Sequence, residues 1–165
     1  MTDQTVSEKL GAVLVRVLEQ TAFLFADRVD DLDDRALRTT DMIQVSLEFS
    51  GARFGQAALI LPVKLCTEIY ANMLGTQDRD ALCEDSIFDA AKELANIVAG
   101  QMLTELYGTS EVFSQSSPAV KPVSMEELLA LIETGLSAFA VVDEMPVVLI
   151  QLSAKREHEH QSTNS

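Results

Sequence analysis

The chain has 165 residues with 12 Lys and Arg against 26 Asp and Glu, a formal charge of −14 and a pI of about 4.3. Its 47% hydrophobic and 23% charged residues exclude wholesale disorder and supply enough apolar surface for one core. The acidity argues against nucleic acid as the main partner, because phosphate backbones require clustered Lys and Arg, and against docking on an anionic membrane face. Two cysteines, Cys66 and Cys83, are too few and too isolated for a disulfide framework or a zinc site, and read as reduced thiols of a cytoplasmic protein. The first ten residues lack a basic stretch leading into an apolar run, so no signal peptide is expected. The apolar segment 136–152 is interrupted by Asp143, Glu144 and Pro146 and is too short to cross a bilayer.

In chain order, Thr5 and Glu8 have capping-box spacing ahead of an apolar stripe at Leu10, Val13, Leu14, Val17, Leu18, Leu24 and Phe25, which predicts a helix over 6–26. The acidic run Asp27–Asp34 lacks the Gly and terminal Glu of a calcium loop and reads as a solvated connector. Ile43, Val45, Leu47 and Phe49 alternate with Gln44, Ser46 and Glu48, which predicts a strand with one buried face. A turn at Ser50–Arg53 returns the chain as a partner strand over 54–61. Pro62 is placed to open a helix carrying Leu65, Ile69, Met73 and Leu74 and ending at Gly75. After a polar connector over 76–84, a long helix is expected over 86–107, with Ser86 as cap and Gly108 as stop. A short strand near 110–118 follows. Ser124 and Glu127 form a second capping box before Leu128–Ile132, and 136–142 pairs with 147–152 in a terminal hairpin. The order α-β-β-α-α-β-α-β-β implies an α+β fold, a mostly antiparallel sheet with long amphipathic helices packed on it. Residues 1–153 are expected to form a single domain, and 154–165 a disordered polar tail. His158, Glu159 and His160 in that tail are the only metal-ligand candidates and read as an accidental cluster.

The long helix carries the chemistry. At 100° per residue, Ile87, Ala90, Ala91, Leu94, Ile97 and Val98 form a core face. Asp89, Glu93, Asn96 and Gly100 gather on the opposite flank at steps of four, three and four, close enough to reach one target together. Asn is a poor interior helix residue and Gly costs about 1 kcal/mol against Ala. A polar helix face with Gly100 packed against a neighbouring element would account for the same pattern.

Glu93-Leu94-Ala95-Asn96 followed by Ile97-Val98-Ala99-Gly100 resembles the signature helix of the CheC/CheX/FliY phosphatases, especially the CheX-like branch. The element order agrees over most of the chain. The resemblance implies hydrolysis of the phospho-aspartate of a CheY-like response-regulator receiver, with Glu93 and Asn96 as the site residues. Asn96 would orient the attacking water, since a carboxamide offers both an acceptor and donors without ionising. Glu93 would pair with the receiver's phosphoryl-contacting lysine and fix the docking register. The chain needs no cofactor of its own on this reading, because the receiver brings its own Mg²⁺. CheC-branch members carry the motif twice; here Glu19-Gln20-Thr21-Ala22 places an alanine where the second Asn would stand, so one active site is expected, and Ala22→Asn is expected to fold normally. Two other readings stand beside the enzyme: a module that binds a receiver without hydrolysis, and a homodimer built by continuing the sheet at an edge strand.

Overall fold

A computed structural model describes residues 2–38, 40–74 and 84–153. Helix α1 (Asp3–Gln20) starts one turn earlier than the sequence suggests: Thr2 is the cap, its Oγ1 accepting from the Thr5 N–H at 3.2 Å. The Thr5/Glu8 box therefore does not form. Two threonines three residues apart compete for the cap, and the upstream one gains an extra turn. Helix α1 also ends sooner, at Gln20. Phe23 turns left-handed at φ 55°, and the Leu24 N–H reaches back to the Leu18 carbonyl at 2.9 Å. This reversal buries Leu24 but leaves Phe25 94% exposed, so Phe25 drops out of the expected stripe.

The acidic run is not a plain connector. Strand β1 (Asp27–Val29) pairs with a strand from the far end of the chain, and the short helix α2 (Asp34–Arg38) follows. Asp33 caps it, its Oδ1 accepting from the Arg35 N–H at 2.9 Å, and Leu37 is buried. Aspartates thus supply a helix start as well as solubility.

Strands β2 (Met42–Gly51) and β3 (Gly55–Pro62) form the expected hairpin, in register at Ser46↔Ala58. Pro62 ends β3 rather than opening the next helix; α3 spans Val63–Leu74. Gly75 and the 76–83 connector lie outside the described residues. Helix α4 (Glu84–Tyr107) contains Ser86 within its first turn rather than as a cap. It ends at Gly108, whose φ of 86° suits a residue without a side chain. The strand expected near 110–118 is two: β4 (Phe113–Gln115) and β5 (Ala119–Val123), both antiparallel to β2. Ser124 caps α5 (Met125–Thr134), accepting from the Glu127 N–H at 3.1 Å and contacting the Glu127 carboxylate at 3.1 Å. The terminal hairpin is β6 (Leu136–Val142) and β7 (Met145–Ser153). Its turn is two residues, Asp143 and Glu144, both with positive φ, and Met145 and Pro146 already belong to β7. Residues 154–165 lie outside the described residues.

All described strand pairs are antiparallel, and the sheet order is β1-β6-β7-β3-β2-β4, with β5 beside β4 on β2. One face packs on α1, α3 and α4. Ile43, Val45, Leu47 and Phe49 meet Leu10, Leu14, Leu94 and Met102 there. The expected single buried face needs correction, because the opposite face is also covered: Ala58, Ile60, Val148 and Ile150 pack with Leu37 and Leu128 of α2 and α5. Gln44 is consequently buried rather than solvated. The unbroken apolar runs Ala57–Leu61 and Val147–Ile150 are the sequence correlate of strands covered on both sides.

Candidate active site

Helix α4 lies on the sheet with Ala91, Leu94 and Val98 at 0–1% exposure, so its rotation is fixed by the core. The opposite flank carries the candidates. Glu93 is exposed, and Asn96 and Gly100 are half-buried. Asp89 stands a turn earlier, 73% exposed at its side chain, with its Oδ1 3.8 Å from Lys92 Nζ. The helix forms a ridge between two grooves. A groove of about 280 Å³ on one side is lined by Tyr70, Met73 and Leu74 of α3 together with Asp89 and Glu93. A larger one, about 660 Å³, runs between Asp85, Phe88, Asp89 and Lys92 of α4 and the β5 segment Val120–Val123.

Gly100 differs from the glycines that internal packing requires. A Cβ at Gly55 would come within 2.5 Å of the Phe49 ring, and one at Gly135 within 2.6 Å of Ile150, so internal packing excludes side chains at both. At Gly100 the nearest atom to a Cβ would be Gln115 Oε1 at 3.4 Å, an ordinary contact. Packing within the chain does not demand glycine there, although a helix interior disfavours it. A bare backbone one turn beyond Asn96 is what close approach by another molecule would require. Gln115 is a feature that sequence reasoning missed: from β4 it donates Nε2–H to the Asn96 carbonyl at 3.2 Å. It sits in a mixed Ser- and Pro-rich stretch with no periodicity, so no pattern could have singled it out.

The first helix offers no equivalent. Glu19 is exposed, but Ala22 lies beyond the end of α1, at 0% exposure, with its carbonyl accepting from Asn72 Nδ2 at 2.9 Å. An asparagine there would be buried among apolar groups, which argues against the expectation that Ala22→Asn folds normally. Among the described residues no group of three or more His, Cys, Asp or Glu is placed to hold a metal ion, and no helix is long and apolar enough to cross a membrane. His158, Glu159, His160 and Cys83 lie outside them. Cys66 is buried on α3, and burial pushes its thiol up to about 12.

Residues 43–121 match the family model described as chemotaxis phosphatase CheX. Over nearly its whole described length the chain superposes on solved structures of that group. The chemotaxis protein CheX of Vibrio vulnificus matches with a TM-score of 0.66 at 16% identity, covering 92% of this chain and 98% of that one. A CheX from Desulfovibrio desulfuricans matches at 0.63 and 12% identity, covering 91% and 99%. The chain from the CheX-CheY-BeF3-Mg complex of Borrelia burgdorferi matches at 0.61 and 13% identity, covering 90% and 97%. No curated protein matches by sequence. The fold is that of the CheC/CheX/FliY group, α+β with a mostly antiparallel sheet under long helices. The signature on α4 lies inside the segment that matches the CheX family model.

Proposed function

We propose that this chain is a phosphatase acting on the phospho-aspartate of a CheY-like response-regulator receiver, with Glu93 and Asn96 of α4 inserted into the receiver's site. The observation that carries this reading is the ridge itself. Glu93, on the wall of the smaller groove, and Asn96 stand one helical turn apart on a helix locked by Leu94 and Val98, with bare backbone at Gly100 one turn further on. Such a ridge suits a concave protein surface better than a small molecule. The match to the chemotaxis phosphatase family model, and the likeness to a CheX solved together with CheY, support the same partner class.

Acyl-phosphate hydrolysis asks for a water held in line with phosphorus and for compensation of charge on the equatorial oxygens. On this reading the second need falls to the receiver and its Mg²⁺. The first falls to the Asn96 carboxamide, which accepts from the water and donates to a neighbouring oxygen. Glu93 pairs with a receiver lysine and sets the register in which Asn96 reaches the phosphoryl group. The setting is cytoplasmic on this reading. A homodimer through the outer strand β1, at the opposite end of the sheet from β4 and β5, would leave the ridge free, and a solution mass measurement tests it.

The experiment is loss of acyl-phosphate from a panel of receivers phosphorylated with acetyl phosphate, with wild-type protein and Asn96→Ala. At saturating receiver, Asn96→Ala is expected to lose ~10²–10³-fold in turnover while still binding, by analogy with removal of one transition-state donor. Retention of wild-type turnover by Asn96→Ala would remove water positioning and leave a non-catalytic receiver-binding module.

A further inference from the structure

On the phosphatase reading just given, we infer that Gln115 is a positioning residue for Asn96: it ties the β4 edge of the sheet to the helical turn that carries the water-orienting carboxamide. In an α-helix the carbonyl of residue 96 already serves the N–H of residue 100. Gln115 Nε2–H takes that oxygen's free lone pair at 3.2 Å. The side chain is long and exposed, and would normally be spread over several rotamers. Here its backbone is held from both sides. Phe113, two residues before it, packs edge-on to Phe49 at 6.1 Å between ring centres and lies 5.6 Å from the Tyr107 ring at the end of the same helix α4. Ser116, the next residue, donates its N–H to the Glu48 carbonyl at 2.8 Å, while its Oγ accepts from the Glu48 N–H at 2.8 Å. Gln115 itself is paired opposite Phe49.

β4 is therefore a three-residue strand anchored at each end, and the side chain between the anchors lands on the Asn96 turn. Its amide oxygen lies beside Gly100, 3.4 Å from where a Cβ would stand. The consequence is that Asn96 is referenced to the sheet by two routes, through the buried Leu94 face of its own helix and through Gln115. Orientation of a water in line tolerates only a few tenths of an ångström, so loss of one route affects the transition state more than the docked complex.

The test compares Gln115→Ala and Gln115→Glu with wild type on an acetyl-phosphate-phosphorylated CheY-type receiver, measuring kcat and KM separately, affinity for the beryllium-fluoride-loaded receiver, and Tm. Glutamate keeps the length but loses the donor. Both variants are expected to fold with near-wild-type Tm, since the side chain is exposed and leaves no cavity. Both are expected to lose about 3- to 10-fold in kcat, the weight of one net hydrogen bond, with KM and affinity unchanged. Unchanged kcat in both, or a rise in KM at constant kcat, overturns the inference; the latter would make Gln115 a receiver contact. Asn96→Ala run alongside separates the levels. If it too retains wild-type turnover, the phosphatase reading has failed, whereas an inactive Asn96→Ala beside a fully active Gln115→Glu sinks the Gln115 role alone.

Discussion

Leu94 and Asn96 are two residues apart in sequence and on opposite sides of α4, so the same small truncation should have opposite consequences. Leu94 is 0% exposed within the main core, and Leu94→Ala is expected to cost about 2–5 kcal/mol in a denaturant titration. Asn96→Ala should leave that titration nearly unmoved and act on turnover. Glu93→Ala should differ from both: a pairing charge contributes to docking, so weaker receiver binding is expected together with slower turnover, and binding that stays at wild-type strength would dissociate Glu93 from the register role. Cys66 makes a different kind of prediction. Burial raises its thiol from the ordinary 9.0 to about 12, so the folded state holds its proton where the unfolded chain would release it. Stability attributable to this group is complete below pH 9 and declines as pH rises from 9 towards 12. In a Cys83→Ser background, alkylation at pH 8 should be slow in the native protein and fast in denaturant; rapid labelling of the native protein would contradict the burial.

At the scale of elements, legibility followed the strength of the periodic signal. The alternation of Ile43 to Phe49, the apolar face of 86–107 and the Ser124 cap all specify their elements locally, and these stand where the sequence placed them. β1 was invisible for a physical reason. Asp27 and Arg28 are exposed, and the segment is a strand only because β6, more than a hundred residues away, offers an unpaired edge. The early end of α1 was hidden likewise, since Leu24 returns to the core by way of a left-handed Phe23 and so counterfeits a helical step. Of the candidate site, Glu93, Asn96 and Gly100 were legible as a flank, whereas Gln115 and the two grooves come from packing between elements that no local pattern encodes. The segment after α1 supports a further test. Ala22→Asn would place a carboxamide where the alanine is fully buried, and a loss of about 1–3 kcal/mol is expected from overpacking and an unsatisfied polar group. Thermal melts indistinguishable from wild type would show that the loop can turn residue 22 outward.

For the molecule as a whole, coverage of the sheet on both faces predicts an uneven response to hydrogen exchange. β3 and β7 lie at the centre of the strand order and are buried along nearly their full length, so their amides should exchange only through global unfolding. β1 and β4, three residues each at or near the edges, should exchange orders of magnitude faster. Uniform protection across the sheet would contradict this ordering.

The place of β7 between β3 and β6 also has a consequence for how the protein is made. The last described strand of the chain fills the middle of the sheet, so about 90 residues separate β3 from the neighbour that completes it, roughly 5–18 s of synthesis at about 5–20 residues per second. Throughout that interval the edge of β3 that β7 will cover has no partner, and α1, which packs on α4 and on β6, rests on half a floor. Nascent chains halted before residue 145 should therefore be sensitive to protease and prone to associate through that edge. Helix α4 is translated well before the closing hairpin, but its neighbour α1, which packs on β6, can complete its own seat only after that hairpin arrives.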